Sequence, residues 1–350
     1  MKKNVKCVVW DLDHTMWDGV LLESDHVRLK DSVKEILTEL DERGILLSIA
    51  SRNDEKAAMA KLKEFQIDHF FLYPEISWNA KSVSLEKISK NLNIHKDTLL
   101  FIDDQVFERE EVQAVHPDIA CWDASRYKEL LSHERLKPAF ITEDAKRRRQ
   151  MYLEDDRRKE DEERFEGPSE QFLASLNMKF SITHAEERDL QRAEELTVRT
   201  NQLNASGKTY DYQELDFFRT SDSHLLLVCE LEDKYGSYGK IGLSLIEKKG
   251  NEWHIKLLLM SCRVMSRGVG TILLGAILNE AKKQNKKLYA DFKQTDRNRV
   301  MYVTYKFANF KEVKKEADGS ILFENDLTRI QPYPEYVDVN VQITPAPAGK

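Results

Sequence analysis

Cysteine, proline and glycine are scarce in this chain of 350 residues, which has 4, 8 and 13 of them, respectively. The cysteines lie far apart and form no CxxC pair, so the sequence predicts neither a zinc site nor a disulfide framework. The sequence has no run of about 18 apolar residues and no charged-then-apolar leader. We therefore expect no membrane span and no secretory signal, and a reducing cytoplasm as the location.

An excess of positive charge is also missing, because the net charge is −7 and the pI is about 5.8. A general nucleic-acid binder needs a basic face to neutralise phosphates, so we expect no nucleic-acid partner. The chain instead has 41% hydrophobic and 33% charged residues, which is enough for real cores beneath a solvated surface. Its length favours two domains over one.

The strongest local signal is a short apolar run, residues 8–10, that ends in the carboxylates of Asp11 and Asp13, with Thr15 two residues further on. Such a run predicts a buried strand that gives way to a loop. Two carboxylates at that place repel each other unless a cation or a shared proton relieves them, and Mg²⁺ is the usual cation. The alternative at this point is an acidic turn without a function.

Strands and helices alternate over the following hundred residues, which predicts a parallel sheet with helices on both faces. The polar side chains at the predicted strand ends would meet at one edge of that sheet, and Lys81 opens a predicted helix over 82–91 and can point to the same edge. These strand-end residues are Asp11, Asp13, Ser51, Asp103 and Asp104.

This set of residue types suits phosphoryl chemistry. One carboxylate can attack phosphorus, and a second can protonate the leaving oxygen. A hydroxyl and an ammonium can neutralise the phosphoryl oxygens, and further carboxylates can hold Mg²⁺. Each piece alone is common, but their joint order along the chain is not.

The motifs around Asp11, Ser51, Lys81 and Asp103 resemble motifs one to four of the haloacid-dehalogenase-like (HAD) phosphotransferases. Residues 7–20 and 101–110 are similar to the FkbH-like subfamily, the glyceryl transferases of polyketide pathways, although His14 stands where asparagine is more usual. The resemblance implies that Asp11 is the nucleophile, that Asp13 is the acid/base, and that Ser51 and Lys81 bind phosphate. The Mg²⁺ ligands that it implies are Asp11, Asp13, Asp103 and Asp104.

The second half opens with a dense run of mixed charges over residues 144–165, which predicts a solvent-exposed helix. Further on, a strand ends in Arg267, Gly268 and Gly270 before an apolar helix. Free N–H groups at such a helix start can bind a pyrophosphate or a phosphopantetheine arm. A glycine turn needed only for packing is the alternative.

The order of elements in this half resembles the GCN5-related N-acetyltransferase (GNAT) fold, which FkbH-like proteins carry after their HAD half. Asn298 and Tyr305 match the last GNAT motif, and residues 200–204 match a family segment on the facing loop. Met265 departs from the acyl-CoA loop and Asn309 from a common glycine. The expected ligand is therefore the arm of a carrier protein in the same groove rather than acetyl-CoA.

The predicted fold class is therefore α/β, an N-terminal HAD-like Rossmannoid parallel sheet plus a C-terminal GNAT-like α+β domain. We expect a HAD-like phosphotransferase domain over 1–135, a charged helical linker over 136–178, a GNAT-like acyltransferase domain over 179–330, and a loosely attached tail over 331–350.

The resemblance implies a combined reaction in which the glyceryl group of 1,3-bisphosphoglycerate passes to the phosphopantetheine thiol of an acyl carrier protein, with Mg²⁺ and with loss of phosphate. Cys262 is the candidate for a transient acyl carrier, and Cys7 is a second one, with core packing as the alternative for both. An acidic carrier protein needs a basic face on this negatively charged chain, for which the candidates are Arg263, Arg267, Lys282, Lys283 and Arg297.

Two other functions stay open. One is a stand-alone Mg²⁺-dependent phosphatase of small molecules whose second half only binds a ligand. The other is a GNAT acyltransferase on a degenerate HAD scaffold, which the complete set of Asp11, Asp13, Lys81 and Asp103 disfavours.

Overall fold

The computed structural model describes residues 4–24, 26–138, 141–200 and 202–343, which divide into two compact units with the boundary after Leu153. Each unit has its own sheet and its own hydrophobic clusters. Within the described part of the chain, no helix combines the length and the apolar character that crossing a bilayer requires.

The N-terminal unit is built on a five-stranded sheet in the order β5-β4-β1-β6-β7, in which every paired strand is parallel to its neighbour. A small antiparallel hairpin, β2 with β3, lies after the first strand. The strands are β1 (Cys7–Trp10), β2 (Trp17–Asp18), β3 (Arg28–Leu29), β4 (Leu46–Ser51), β5 (Glu75–Ile76), β6 (Leu99–Asp103) and β7 (Ala120–Asp123). The helices are α1 (Val33–Glu42), α2 (Glu55–Glu64), α3 (Lys81–Asn91), α4 (Val106–Val115) and α5 (Glu143–Lys146).

Strand β1 shows why this sheet is buried on both faces. All four of its residues are buried, and they alternate between two cores: Val8 and Trp10 join one cluster, Cys7 and Val9 the other. Such a continuous apolar run is typical of a central parallel strand covered by helices on both sides. The predicted parallel α/β architecture of the first half is confirmed.

The C-terminal unit is built on an eight-stranded sheet in the order β13-β14-β12-β11-β10-β9-β8-β15, antiparallel except for the pairs β11–β12 and β8–β15. Its strands are β8 (Met178–His184), β9 (His224–Asp233), β10 (Gly236–Lys249), β11 (Glu252–Met260), β12 (Lys287–Lys293), β13 (Phe310–Lys315), β14 (Ser320–Asn325) and β15 (Val337–Gln342). Its helices are α7 (Ser169–Ser175), α8 (Leu190–Arg199), α9 (Tyr212–Thr220), α10 (Ile272–Lys283) and α11 (Arg299–Phe307), and α6 (Arg148–Arg164) runs across the boundary between the units.

The charged run does form a helix, α6, but it is not solvated on every face. Arg158 is only 1% exposed, and its Nε and Nη2 donate hydrogen bonds of 2.7 and 2.8 Å to the carboxylate of Asp233. The hydroxyl of Tyr238 donates a third bond to the same carboxylate. The prediction of a fully exposed helix is wrong here, because the partners of Arg158 lie on strands far along the chain.

The tail also differs from the expectation of loose attachment. Its residues 337–342 form β15, which pairs in parallel with β8 from Val337 opposite Met178 to Gln342 opposite Thr183. The last part of the predicted tail, residues 344–350, lies outside the described residues.

Candidate active site

The carboxyl edge of the N-terminal sheet brings together the side chains expected there. Asp11 directly follows β1, Ser51 ends β4, and Asp103 ends β6, and these three strands are neighbours in the sheet. Lys81 is the first residue of α3, as its position before an amphipathic run suggested. Because the strands are parallel, their ends converge without any long loop.

Lys81 is the centre of the cluster. Its ammonium lies 2.5 Å from Asp11 Oδ1, 3.0 Å from Asp103 Oδ2 and 3.0 Å from Glu108 Oε2, and it donates a bond of 2.8 Å to Ala50 O. The side chain is 1% exposed. Burial alone would lower the pKa of this lysine, but the three carboxylates around it raise the pKa above its ordinary value, so the ammonium stays charged.

The carboxylates outnumber the cation. Burial raises the pKa of Asp11 to about 6 against the opposing effects of Lys81 and of a hydrogen bond with Ser51. Burial likewise raises the pKa of Asp103 to about 6, although Lys81 and the N–H of Gln105 lower it. In both carboxyl groups the cost of burying the charged form outweighs the favourable effect of the Lys81 ammonium.

Asp11, Asp103 and Glu108 fit a divalent cation. All three are buried, and each offers a carboxylate oxygen within 4.8 Å of the others. Hard oxygen ligands in excess over positive charge are what Mg²⁺ prefers. These residues would therefore hold the ion.

Glu108 was not among the predicted metal ligands. It lies in the first turn of α4, five residues after Asp103, and its side chain turns back into the cluster. The signal available in the sequence was this spacing, because a strand end followed by one helical turn returns a side chain to the same edge.

Asp13 lies beside this cluster and has partners of its own. Its Oδ1 accepts bonds from Trp17 Nε1 at 2.8 Å and from the N–H of Leu21 at 3.1 Å, and its Oδ2 accepts one from Asn53 Nδ2 at 2.9 Å. Three donors hold the carboxylate in one orientation. The sequence did not single out Asn53, although it stands two residues after Ser51.

Asp104, the fourth predicted metal ligand, also lies outside the three-carboxylate group. Its N–H donates to Thr15 Oγ1 at 3.1 Å, and the Thr15 hydroxyl lies 3.5 Å from Asp104 Oδ1. The hydroxyl that follows the DxD pair therefore ties the loop after β1 to the loop after β6.

In the C-terminal unit, Arg267 does not offer a free positive charge to an anion. The residue is 1% exposed, with Nη1 3.1 Å from Glu162 and Nη2 3.4 Å from Asp155, both on α6. It also cannot belong to an exposed basic face, so that part of the expectation is wrong. The opposing carboxylates come from a distant part of the sequence, which no local pattern reveals.

The glycines of the same loop differ in their surroundings. Gly268 has a φ of +67°, and a Cβ built on it would collide with the hydroxyl of Tyr336 from the tail. Gly270 has no atom within 4 Å of such a Cβ. The turn at Gly268 therefore has a packing role in addition to any binding role.

Asn298 and Tyr305 are both completely buried. Asn298 Nδ2 donates to Asn204 O and to Lys293 O, at 2.9 Å each, while its Oδ1 accepts from Thr295 N at 2.8 Å. The Tyr305 hydroxyl has no hydrogen-bond partner among the described residues, and burial raises the pKa of this phenol. The Asn298 side chain thus connects the segment around Asn204 to the end of β12.

Residues 203–205 lie between β11 and β12, which pair with each other only over residues 252–255 and 287–290. Beyond this point Ala205 N donates to Leu258 O, Met260 N to Leu203 O, and Lys293 N to Ala205 O. The chain's own backbone thus satisfies the strands where they separate. Asn201, part of the segment matched in the sequence, lies outside the described residues.

The four cysteines differ in their exposure. Cys7 and Cys229 are buried, and burial raises the pKa of both thiols well above the usual range. Burial also raises the pKa of the half-buried Cys121 to about 12. Cys262, two residues after the end of β11, is exposed.

Comparison with known proteins gives matches for both units. The family model of haloacid dehalogenase-like hydrolases matches residues 14–116, a span that contains Ser51, Lys81, Asp103 and Glu108 and begins just after Asp13. Magnesium-dependent phosphatase 1 of Homo sapiens is 27% identical in a 124-residue alignment that covers 30% of this chain and 70% of that protein.

Among solved structures, the N-terminal part of BF1531 from Bacteroides fragilis, which contains a phosphatase domain in complex with Mg, is 25% identical with a TM-score of 0.35. That match covers 39% of this chain and 40% of the other. The ribosomal-protein-S18-alanine N-acetyltransferase of Escherichia coli is 14% identical with a TM-score of 0.34, over 44% of this chain and 97% of the other.

Residues 14–116 thus match the haloacid dehalogenase-like hydrolases within the N-terminal unit, and the C-terminal unit has a mixed, mainly antiparallel sheet in line with the predicted α+β domain.

Proposed function

We propose that the Asp11 site removes phosphate with the help of Mg²⁺, and that this removal serves the transfer of a glyceryl group from 1,3-bisphosphoglycerate to an acyl carrier protein. The observation that carries the phosphoryl step is the buried group of Asp11, Asp103 and Glu108 around Lys81. The carrier protein and its phosphopantetheine arm are part of the proposal through the sequence resemblance.

The chain's own residues account for the phosphoryl step. A carboxylate oxygen of Asp11 attacks phosphorus, so that an aspartyl phosphate forms while the bond from phosphorus to the substrate oxygen breaks. Asp13, which Trp17 and Asn53 hold in place, gives a proton to that oxygen and then takes one from the attacking water. Mg²⁺ bound by the three carboxylates would neutralise the charge of the phosphoryl oxygens.

Two phosphates must leave in the complete reaction, because 1,3-bisphosphoglycerate has two and a glyceryl group has none. At C1 a thiol sulfur attacks the carbonyl carbon, a C–S bond forms, and the C–O bond to phosphate breaks. The released phosphate takes up the thiol proton. At C3 only a P–O bond needs to break, which is the chemistry of Asp11.

Cys262 is the residue of the C-terminal unit that we propose as the transient carrier of the acyl group. It is exposed, whereas burial raises the pKa of the other three cysteines and disfavours their nucleophilic thiolates. Without Arg267, the basic side chains proposed to meet an acidic carrier protein are Arg263, Lys282, Lys283 and Arg297.

Intact-mass spectrometry of a carrier protein tests the proposal. The carrier is incubated with the enzyme, Mg²⁺ and 1,3-bisphosphoglycerate, and a glyceryl mass shift is expected that disappears with Asp11→Asn. Lys90→Gln, which removes one charge of the opposite sign at the other end of α3, is the control and should keep the shift. Cys262→Ser should release phosphate without loading the carrier.

Two outcomes would contradict different parts. Phosphate release from small phosphates without any mass shift on the carrier would leave a stand-alone phosphatase and overturn glyceryl transfer. No phosphate release by the unmodified enzyme from any small phosphate would overturn the role of Asp11.

A further inference from the structure

Arg52 is a cation beside the site that neither the metal cluster nor the phosphoryl step uses. It directly follows Ser51 at the end of β4. Its Nε donates a hydrogen bond of 3.3 Å to Asn79 O and lies 3.3 Å from Glu108 Oε1. Glu108 is also a partner of Lys81, so the base of the Arg52 guanidinium is fastened to the wall of the phosphoryl site.

The outer part of this guanidinium is unused. The Arg52 side chain is 39% exposed, and among the described residues its two terminal amino groups make no hydrogen bond. A guanidinium has five N–H donors in a fixed plane, so four remain for a ligand. Anchoring at Nε fixes the direction of that plane before any ligand arrives, which lowers the entropy lost on binding.

Among the described residues, the other two cations that contact the cluster, Lys81 and Arg109, are less exposed than Arg52 and already pair with carboxylates. Lys81 is enclosed by three carboxylates and a backbone carbonyl. Arg109 donates to Asp103 O at 2.7 Å and pairs with Asp123 at 2.8 Å. A second anionic group on a substrate would therefore meet Arg52.

We infer that Arg52 forms a distal-anion subsite that binds the second acidic group, a carboxylate or a phosphate, of a small phosphorylated acid whose first phosphate lies at Asp11. Arginine recognises both groups through paired N–H donors. This inference rests on the proposed role of Asp11. A thioester carries no charge at that position, so the subsite assigns phosphate removal to the free acid or acyl phosphate.

Ligand binding to an inactive enzyme tests the subsite without any turnover. The Asp11→Asn variant is titrated with 3-phosphoglycerate and with glycerol 3-phosphate, which differ by a carboxylate in place of a hydroxymethyl group. Isothermal titration calorimetry measures the dissociation constant of each ligand, because it needs no reporter group.

We expect the inactive enzyme to bind 3-phosphoglycerate about tenfold more tightly than glycerol 3-phosphate, as one charge-assisted contact gives. Arg52→Gln should abolish that preference, Arg52→Lys should retain part of it, and Lys90→Gln should leave it unchanged. Thermal unfolding of each variant checks the fold.

A preference that survives in a folded Arg52→Gln variant would overturn the subsite, and so would the absence of any preference in the parent. Failure of the proposed function would look different. The unmodified enzyme would then release no phosphate, or load no carrier, while the preference of the inactive enzyme and its dependence on Arg52 stayed measurable.

Discussion

At the scale of single residues, Lys81 decides how the site can exist at all. Three buried carboxylates on three different segments would repel one another, and one ammonium offsets only part of their charge. Lys81 also stands at the start of a helix, where the helix dipole disfavours a cation. The attraction of the carboxylates outweighs both the burial of the ammonium and the unfavourable helix dipole. Three carboxylates and one ammonium leave two negative charges, which one divalent cation would neutralise.

The shifted carboxylates give a pH prediction. The folded protein has pKa values of about 6 for Asp11 and Asp103, above the ordinary 3.8, so without metal it binds more protons than the unfolded chain between these values. The stability contributed by these groups is therefore full below about pH 4 and is lost as the pH rises through 6.

Mg²⁺ needs the deprotonated carboxylates, so it should raise the Tm more at about pH 7.5 than at about pH 5. Thermal unfolding with and without Mg²⁺ at both pH values measures this difference. The Asp103→Asn variant serves as the control and should lose most of the Mg²⁺ effect at the higher pH. An equal Tm shift at both pH values would show that the metal does not bind to these carboxylates.

At the scale of elements, the sequence was sufficient where a single segment determines the outcome. Strands β1 and β6 are continuous apolar runs that end in carboxylates, and their parallel pairing follows from the alternation with helices. Lys81, Ser51 and Asp103 could be predicted to meet because each stands at the boundary of such an element.

The elements and contacts that escaped prediction depend on partners far along the chain. Arg267 meets carboxylates of α6 more than a hundred residues away, and residues 203–205 bridge two strands that the pattern treats as ordinary neighbours. Strand β15 did have a signal, since Val337, Val339 and Val341 alternate with polar residues, but a two-residue period does not say which edge will accept the strand.

The glycine loop before α10 gives a prediction at this scale. Gly268→Ala forces a side chain into a backbone with φ of +67° and against Tyr336, whereas Gly250→Ala, at φ of +58°, meets nothing within 4 Å. Both should lose about 1 kcal/mol from the left-handed backbone, and Gly268→Ala about 1 kcal/mol more from the contact. Urea denaturation of both variants measures the difference.

A double variant separates the two causes. Adding Tyr336→Ala to Gly268→Ala should remove the excess cost, because the clash needs both side chains. If the two glycine variants lose the same free energy of unfolding, Tyr336 does not press on the loop.

At the scale of the whole molecule, the proposed phosphoryl step and the proposed carrier contacts belong to two separately built units. The N-terminal unit contains the residues of the proposed phosphoryl step, and the C-terminal unit contains the exposed Cys262. The sheet of the C-terminal unit is completed by an edge strand, β15, from the end of the described chain. The stability of this unit therefore depends on a strand that lies far along the chain from its partner β8.

Removing residues 331–350 should consequently weaken the C-terminal unit and spare the phosphoryl site. The deletion takes away the pairing of β15 with β8 and the contacts of Tyr333 and Tyr336 with Gly275 and Gly268. Exposing the edge of β8 and that apolar surface should lower the Tm of this unit by roughly 5 °C or more.

A shorter deletion after Ile343 keeps β15 and should leave the Tm unchanged. Calorimetry together with phosphate release from a small phosphate distinguishes the two effects. Unchanged thermal unfolding after the longer deletion would show that β15 contributes nothing to stability, and lost phosphate release would show that the tail also supports the Asp11 site.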